Sequence, residues 1–244
     1  MSGTAWLVIG GVVFLAACAP LAKQITQSVG HLPPRRVMIG VVCHRMLDAD
    51  VQALRGMGVR AVRLSLYPNG DGAAWIDRAI QEGFDVTIVT YRDAAARAGD
   101  KARWPSAHWQ VGNEPAWPQV SPQSVAQGAA WGDVSPGLAH GTPLAWVQQY
   151  SQAAPPFQVL ALHAYGEPLL LAVQETAALA PSTRRLWLTE IGSKDPNQLA
   201  GALRVLDGNR VERAYVYALY SPADGYTLTP AHQDVIRRYI AGSL

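Results

Sequence analysis

The sequence predicts an α/β fold, a compact (β/α)8 TIM barrel forming a single domain over residues 36–244. Three observations carry this expectation. From Arg36 onward, short β-branched runs alternate with Ala- and Leu-rich stretches, the pattern of βα units on a parallel sheet. Eight units follow one another at roughly 26 residues each, the low end for a barrel of ~200 residues. The first βα turn, Cys43-His44-Arg45-Met46, lacks the glycine fingerprint with which an open doubly wound sheet cradles a dinucleotide.

The first strand is Val37 to Val42; Asp48 caps the helix after it, and Gly56 and Gly58 end that helix. Val59 to Leu66 is the second strand, with Trp75 to Glu82 as its helix. Asp85 to Thr90 is the third, followed by a short Ala-rich helix from Asp93 to Ala98. His108 to Gly112 is the fourth, and Ser121-Pro122 opens the next helix with a cap and a first-turn proline. The fifth unit is abbreviated, Gly132-Asp133-Val134 being very short for a strand, with Pro143 to Tyr150 as its helix. Gln158 to His163 and Pro168 to Ala180 form the sixth unit, Arg185 to Thr189 and Asn197 to Leu206 the seventh. Arg213 to Leu219 and Pro230 to Ala241 close the chain.

Hydrophobic residues make up 49% of the 244-residue chain and charged residues 16%, a globular and slightly apolar composition. The net charge of +2 and the scattered arginines exclude the clustered basic face of a nucleic-acid binder. The first 22 residues carry no charged side chain, and Trp6 to Ala17 has the length of a signal-peptide apolar region. Leu15-Ala16-Ala17-Cys18 resembles a bacterial lipobox, which makes residues 1–18 a lipoprotein-type signal peptide and Cys18 the lipidated residue; residues 19–35 become a tether. The n-region lacks Lys and Arg, so an uncleaved anchor over Ala5 to Ala22 is the second reading and a buried N-terminal helix the third. Cys43, inside a strand, reads as a small buried hydrophobe rather than a disulfide partner.

Residues at the C-terminal strand ends of a barrel converge on one mouth. Those positions hold Arg63 and Tyr67, Asn113 and Glu114, His163 and Tyr165, Glu190, and Tyr217 and Tyr220. Glu114 and Glu190 fall three strands apart and so face each other across the mouth. Two facing carboxylates are the minimum equipment for cleaving a glycosidic bond. Taken singly, Asn-Glu-Pro is an ordinary loop tripeptide, and a strand-end glutamate commonly caps the next helix. Strand order, spacing, His163-Ala164-Tyr165 between the two glutamates and Arg63 before them make the combination more specific.

This arrangement resembles the clan A glycoside hydrolases, retaining (β/α)8 enzymes, over roughly Arg36 to Leu244. The resemblance implies that Glu114 is the general acid/base, Glu190 the nucleophile and Asn113 the holder of the sugar 2-hydroxyl. Arg63 would keep the nucleophile ionised, Tyr165 would donate to it, and His163 would line the same subsite. The clan's eighth-strand tryptophan platform is missing, since no Trp follows Trp187; Tyr217 stands near that place. Trp117, three residues past Glu114, is the candidate stacking residue, Trp146 reads as helix core, and His44 is a rim residue.

The six histidines form no metal-ligand pair and no phosphate loop is present, so neither metal nor cofactor is expected. The sequence therefore predicts a monomeric, membrane-tethered retaining glycoside hydrolase that cleaves β-linked polysaccharide or oligosaccharide, in endo mode, outside the cytoplasm at a bacterial cell envelope. The alternative is a catalytically silent glycan-binding barrel at the same place.

Overall fold

The computed structural model describes residues 37–115, 119–156, 158–166 and 168–244. The expectations for the leader, Cys18, the tether and Trp117 lie outside the described residues. No helix among the described residues is long and apolar enough to cross a membrane.

Strands and helices alternate as β1 (Met38–Val42), α1 (Asp48–Gly56), β2 (Ala61–Leu66), α2 (Ala73–Gln81), β3 (Asp85–Thr90), α3 (Ala94–Arg103) and β4 (His108–Val111). They continue as α4 (Pro122–Ala129), α5 (Leu144–Ala153), β5 (Leu160–Tyr165), α6 (Leu169–Leu179), β6 (Leu186–Gly192), α7 (Pro196–Leu206), β7 (Val211–Val216) and α8 (Pro230–Ala241). The seven strands form one parallel sheet in the order β4-β3-β2-β1-β7-β6-β5.

Side chains in the βα loops start several helices. Asp93 accepts from Ala96 N at 2.8 Å, Ser121 from Ser124 N at 3.2 Å and Asp195 from Asn197 N at 2.8 Å, each satisfying an orphan first-turn amide. Proline follows the cap at α4, α7 and α8, where its missing N–H costs nothing. Two expectations need correction. Leu47, not Asp48, is the N-cap of α1, and the Asp50 carboxylate accepts from Leu47 N at 2.9 Å. Helix α3 runs on to Arg103, because Gly99 leaves its register intact and Arg92 reaches Asp100 at 2.8 Å along its side.

The fifth expected strand is not a regular strand. Residues 133–138 instead make isolated bridges to both sheet edges, Val134 to Gln110 and Val159, Asn113 to Gly137, and Leu138 to Leu162. Val134 N donates to Trp109 O at 3.1 Å, while Ser135 N donates to Val159 O at 2.8 Å and Leu138 N to Ala161 O at 3.0 Å. Pro136 has no N–H to give to a ladder, which breaks the regularity of this segment. Its bridges nevertheless join β4 to β5.

A large core packs strand residues such as Val41, Val62, Ile88, Leu162 and Leu188 against helix residues such as Leu54, Ile76, Val173 and Leu203. A second, small cluster joins Val42, Ala61, Val134, Val159, Ala161, Trp187, Tyr215 and Ala218. Its members share strand parity with Arg63, Gln110 and His163, so one face of the sheet is apolar low down and polar toward the C-terminal strand ends. Cys43 is a buried free thiol whose pKa is pushed up by burial and then by Asp50.

Candidate active site

The polar residues gather at the C-terminal ends of β2, β4, β5 and β6. Arg63, only 3% exposed, organises them with three hydrogen bonds. Its NH1 meets Glu190 Oε1 at 2.7 Å, its NH2 meets Asn113 Oδ1 at 2.7 Å and its Nε meets Gln110 Oε1 at 3.1 Å. Gln110 in turn donates to Asn113 Oδ1 at 3.1 Å and to Gly112 O at 2.9 Å. A planar guanidinium with all edges engaged fixes its neighbours in angle as well as in distance.

Glu190 reaches this cluster through a β-bulge. Leu162 and His163 of β5 pair with Leu188 and Glu190, skipping Thr189, and the pairing to β7 shifts over the same residues. Regular alternation from Trp187 would turn Thr189, not Glu190, to the polar face; one extra residue reverses that parity. Glu190 is 7% exposed. Burial pushes its pKa up, but Arg63, then His163 and the hydrogen bonds from Tyr165 and Arg63, outweigh burial and hold it below the ordinary glutamate value. Tyr165 donates to Glu190 Oε2 at 2.6 Å, and burial followed by the Glu190 charge drives its own pKa far up, so the phenol keeps its proton.

Glu114 sits differently. Its side chain is 47% exposed, and its backbone has φ of +44°, a left-handed conformation that costs a non-glycine residue free energy. Glu114 N donates to Gly137 O at 2.8 Å, which holds the turn in place. One carboxylate oxygen lies 2.8 Å from Nδ1 of the buried His163, whose Nε2 stands 3.6 Å from Glu190 Oε1. Gly137 makes this packing possible: a Cβ there would lie 2.2 Å from His163 Nε2 and 2.7 Å from Asn113 Oδ1.

Ligating atoms of Glu114, His163 and Glu190 lie within 4.8 Å of one another, a spacing that a metal could use. The Arg63 guanidinium at 2.7 Å from Glu190 opposes a second cation there, and His163 Nδ1 already has a partner in Glu114.

Arg63, Asn113, Glu114, His163, Tyr165 and Glu190 are thus brought together. Tyr217 lies just past β7 and is joined to Ala218 by the only cis peptide bond among the described residues; its ring is 6.1 Å edge-on to Tyr165 and its hydroxyl 3.0 Å from Asp224. Tyr220 is exposed, and the Arg45 guanidinium lies 3.9 Å over its ring. Trp146 is buried and stacks on Tyr150, away from these residues. Gln110, Gly137, Tyr91 and Tyr226 belong to the site region but carried no motif. Gln110 alone had a signal, as an amide inside an apolar strand four residues before Glu114.

No protein-family model matches the sequence, and no curated protein matches it. Among solved structures the chain shares its fold with several glycoside hydrolases, GH5 enzymes among them. A glucosidase from Croceicoccus marinus aligns at 15% identity over 84% of this chain and 67% of its own, with a TM-score of 0.57. A broad-specificity GH5-4 endoglucanase from Clostridium longisporum aligns at 10% identity over 82% and 87% of the two chains, TM-score 0.59. A GH5 xyloglucan-specific endo-β-1,4-glucanase from a metagenomic library, solved with cellotriose, aligns at 11% identity over 81% and 88%, TM-score 0.55.

Proposed function

We propose that this protein is a retaining glycoside hydrolase of β-linked polysaccharide, built on a (β/α)8 barrel whose fifth strand is reduced to the bridges of residues 133–138. One observation carries the reading. Two glutamates from β4 and β6 bring carboxylate oxygens within 4.8 Å of each other, one buried against Arg63 and Tyr165, the other half exposed on His163. That closeness fits the ~5–5.5 Å carboxyl spacing of retaining enzymes better than the ~6.5–9.5 Å that leaves room for a water in inverting ones.

In this reading Glu190, kept ionised by Arg63, attacks the anomeric carbon as the bond to the leaving oxygen breaks, and that oxygen takes the proton of Glu114. A water then attacks the glycosyl ester, Glu114 accepts its proton, and Glu190 leaves as carboxylate. His163 lies between the two carboxylates, its Nδ1 2.8 Å from Glu114 and its Nε2 3.6 Å from Glu190. Asn113, whose amide nitrogen lies 3.4 Å from Glu190 Oε1, is proposed to hold the sugar 2-hydroxyl. Trp117 is proposed to stack on a sugar beyond Glu114. A lipid on Cys18 would tether the domain outside the cytoplasm at a bacterial envelope, and acyl labelling lost in Cys18→Ser tests it.

The chemistry is tested by screening β-glucan, xyloglucan and other β-linked glycans with the wild type, Glu190→Gln and Glu114→Gln. The expected loss in kcat is at least 10²–10⁴-fold for each variant, with β-configured product released first by the wild type. Full activity in either variant removes that residue from the mechanism.

A further inference from the structure

Gln110 is the one amide in β4, and none of its surface is exposed. A buried amide needs partners for both of its ends, and this one has them. Its oxygen accepts from Arg63 Nε at 3.1 Å, while its nitrogen donates to Gly112 O at 2.9 Å and to Asn113 Oδ1 at 3.1 Å. None of these partners is a glutamate, so the side chain acts through others.

The orientation of both amides follows from Arg63, which can only donate. The Gln110 atom that meets Nε, and the Asn113 atom that meets NH2 at 2.7 Å, must each be oxygen. That leaves the Gln110 nitrogen for two acceptors, the Gly112 carbonyl and the Asn113 oxygen. Turning either amide over would set N–H against N–H. Asn113 is therefore clamped by its oxygen from two directions, with its nitrogen turned toward Glu190 Oε1, 3.4 Å away.

The same nitrogen steadies the backbone that delivers Glu114. Gly112 and Glu114 have φ of +79° and +44°, so two of three consecutive residues are left-handed and only one of them is glycine. Gln110 holds the first by its carbonyl, as Gly137 O holds the second by its N–H. Charge matters as well. A glutamate here would still accept from Arg63, but once ionised it would have no proton for Asn113 or Gly112 and would compete with Glu190 for the guanidinium. Methionine would fill the space and do neither.

We propose that Gln110 is a positioning residue for the proposed reaction, its oxygen aligning Arg63 with Glu190 and its nitrogen aiming Asn113 and the turn that carries Glu114. The proposal rests on the glycosidase reading and adds to it a residue that acts only through its neighbours.

The test uses the full chain with Gln110→Met and Gln110→Glu. Kinetics on β-glucan and xyloglucan give kcat and KM. Nitrogen-15 relaxation reads the rigidity of the Asn113 side-chain amide, assigned by its loss in Asn113→Asp, and carbon-13 spectra follow the Glu190 carboxyl through pH, assigned by its loss in Glu190→Gln. Gln110→Met should lower kcat about tenfold with KM within about threefold, and drop the amide order parameter from about 0.85 to below about 0.6. Gln110→Glu should raise the Glu190 midpoint by about one pH unit, and the acid limb of kcat/KM should move with it. Wild-type kcat in Gln110→Met, or an Asn113 amide as rigid there as in the parent, overturns the proposal. Gln110→Glu keeps the shape of the side chain and decides the matter should Gln110→Met not fold: an unmoved Glu190 midpoint overturns it. If the wild type cleaves neither glycan, the glycosidase reading fails for them, and the two spectra still decide whether Gln110 aligns these groups.

Discussion

Arg63 and Glu190 are each buried and each the other's counter-charge, so neither is comfortable alone. Removing one partner of such a pair costs about 3–5 kcal/mol because a desolvated charge is left behind. We expect Arg63→Met to lose stability of that order in urea unfolding and to regain much of it when Glu190→Gln is added. In the proposed mechanism the same pair sets the acid limb of activity. Because Arg63 holds the Glu190 pKa below the ordinary value, the limb of kcat/KM should lie below about pH 4.3 in the wild type. It should move upward in Arg63→Lys, whose point charge lacks the fork; an unmoved limb would assign that titration elsewhere.

Gly137 is the second prediction at this scale. Its missing Cβ is the space that His163 and Asn113 occupy, so Gly137→Ala should displace the imidazole from Glu114. The expected result is a fall of tenfold or more in kcat with a smaller change in KM. Equal kcat in the variant would show that the imidazole position is immaterial to the proton transfer.

At the scale of elements, caps and prolines made the helices legible: Ser121-Pro122 begins α4, and Pro230 to Ala241 is α8 to the residue. Asp195 was not singled out, yet its carboxylate caps α7, and Asp195→Ala should cost about 1 kcal/mol in chemical denaturation with little change elsewhere. The C-terminal strand ends gathered Arg63, His163, Tyr165 and Glu190 at one mouth. Alternation alone would have turned Thr189, not Glu190, to the polar face. A bulge is an extra residue recognised only against the partner strands, and here it decides which of two adjacent side chains faces the carboxylate opposite. The fifth segment was legible as short, but that it would bridge both neighbours without becoming a strand depended on Pro136 and on tertiary hydrogen bonds. Tyr91 and Gly137 carry no signal in a lone sequence, since one is an ordinary loop aromatic and the other an ordinary loop glycine.

For the molecule as a whole, several carboxylates have pKa values held down by the fold, and they determine its response to acid. Burial pushes Asp133 up, but the hydrogen bonds from His108 at 2.9 Å and from Trp109 N more than offset it; Glu190 behaves likewise. A carboxylate depressed in the folded state contributes stability that is complete above its unfolded pKa and is lost as pH falls through the folded one. The carboxylates should therefore make stability fall below about pH 4, and His44 and His232, whose pKa values burial lowers, should add a smaller loss as pH falls through about 6.5. Asp133→Asn should lower stability at pH 7 and flatten that fall in pH-dependent denaturation; an unchanged slope would exclude Asp133 from the acid response.

Asp133 also stands at the start of the bridging segment, where its carboxylate holds Trp109 N and its carbonyl receives Val159 N. The same few bridges carry Gly137 O to Glu114 N and Leu138 O to His163 N. The sheet is thus a hoop fastened at one joint, and the proposed acid and its histidine are riveted on opposite sides of that joint. Parting it would separate the proton donor from its partner while the seven strands stayed folded. Heat or acid would then silence the protein before melting it, and the amides of Val134, Ser135 and Leu138 would exchange with solvent ahead of their neighbours in β2 and β3.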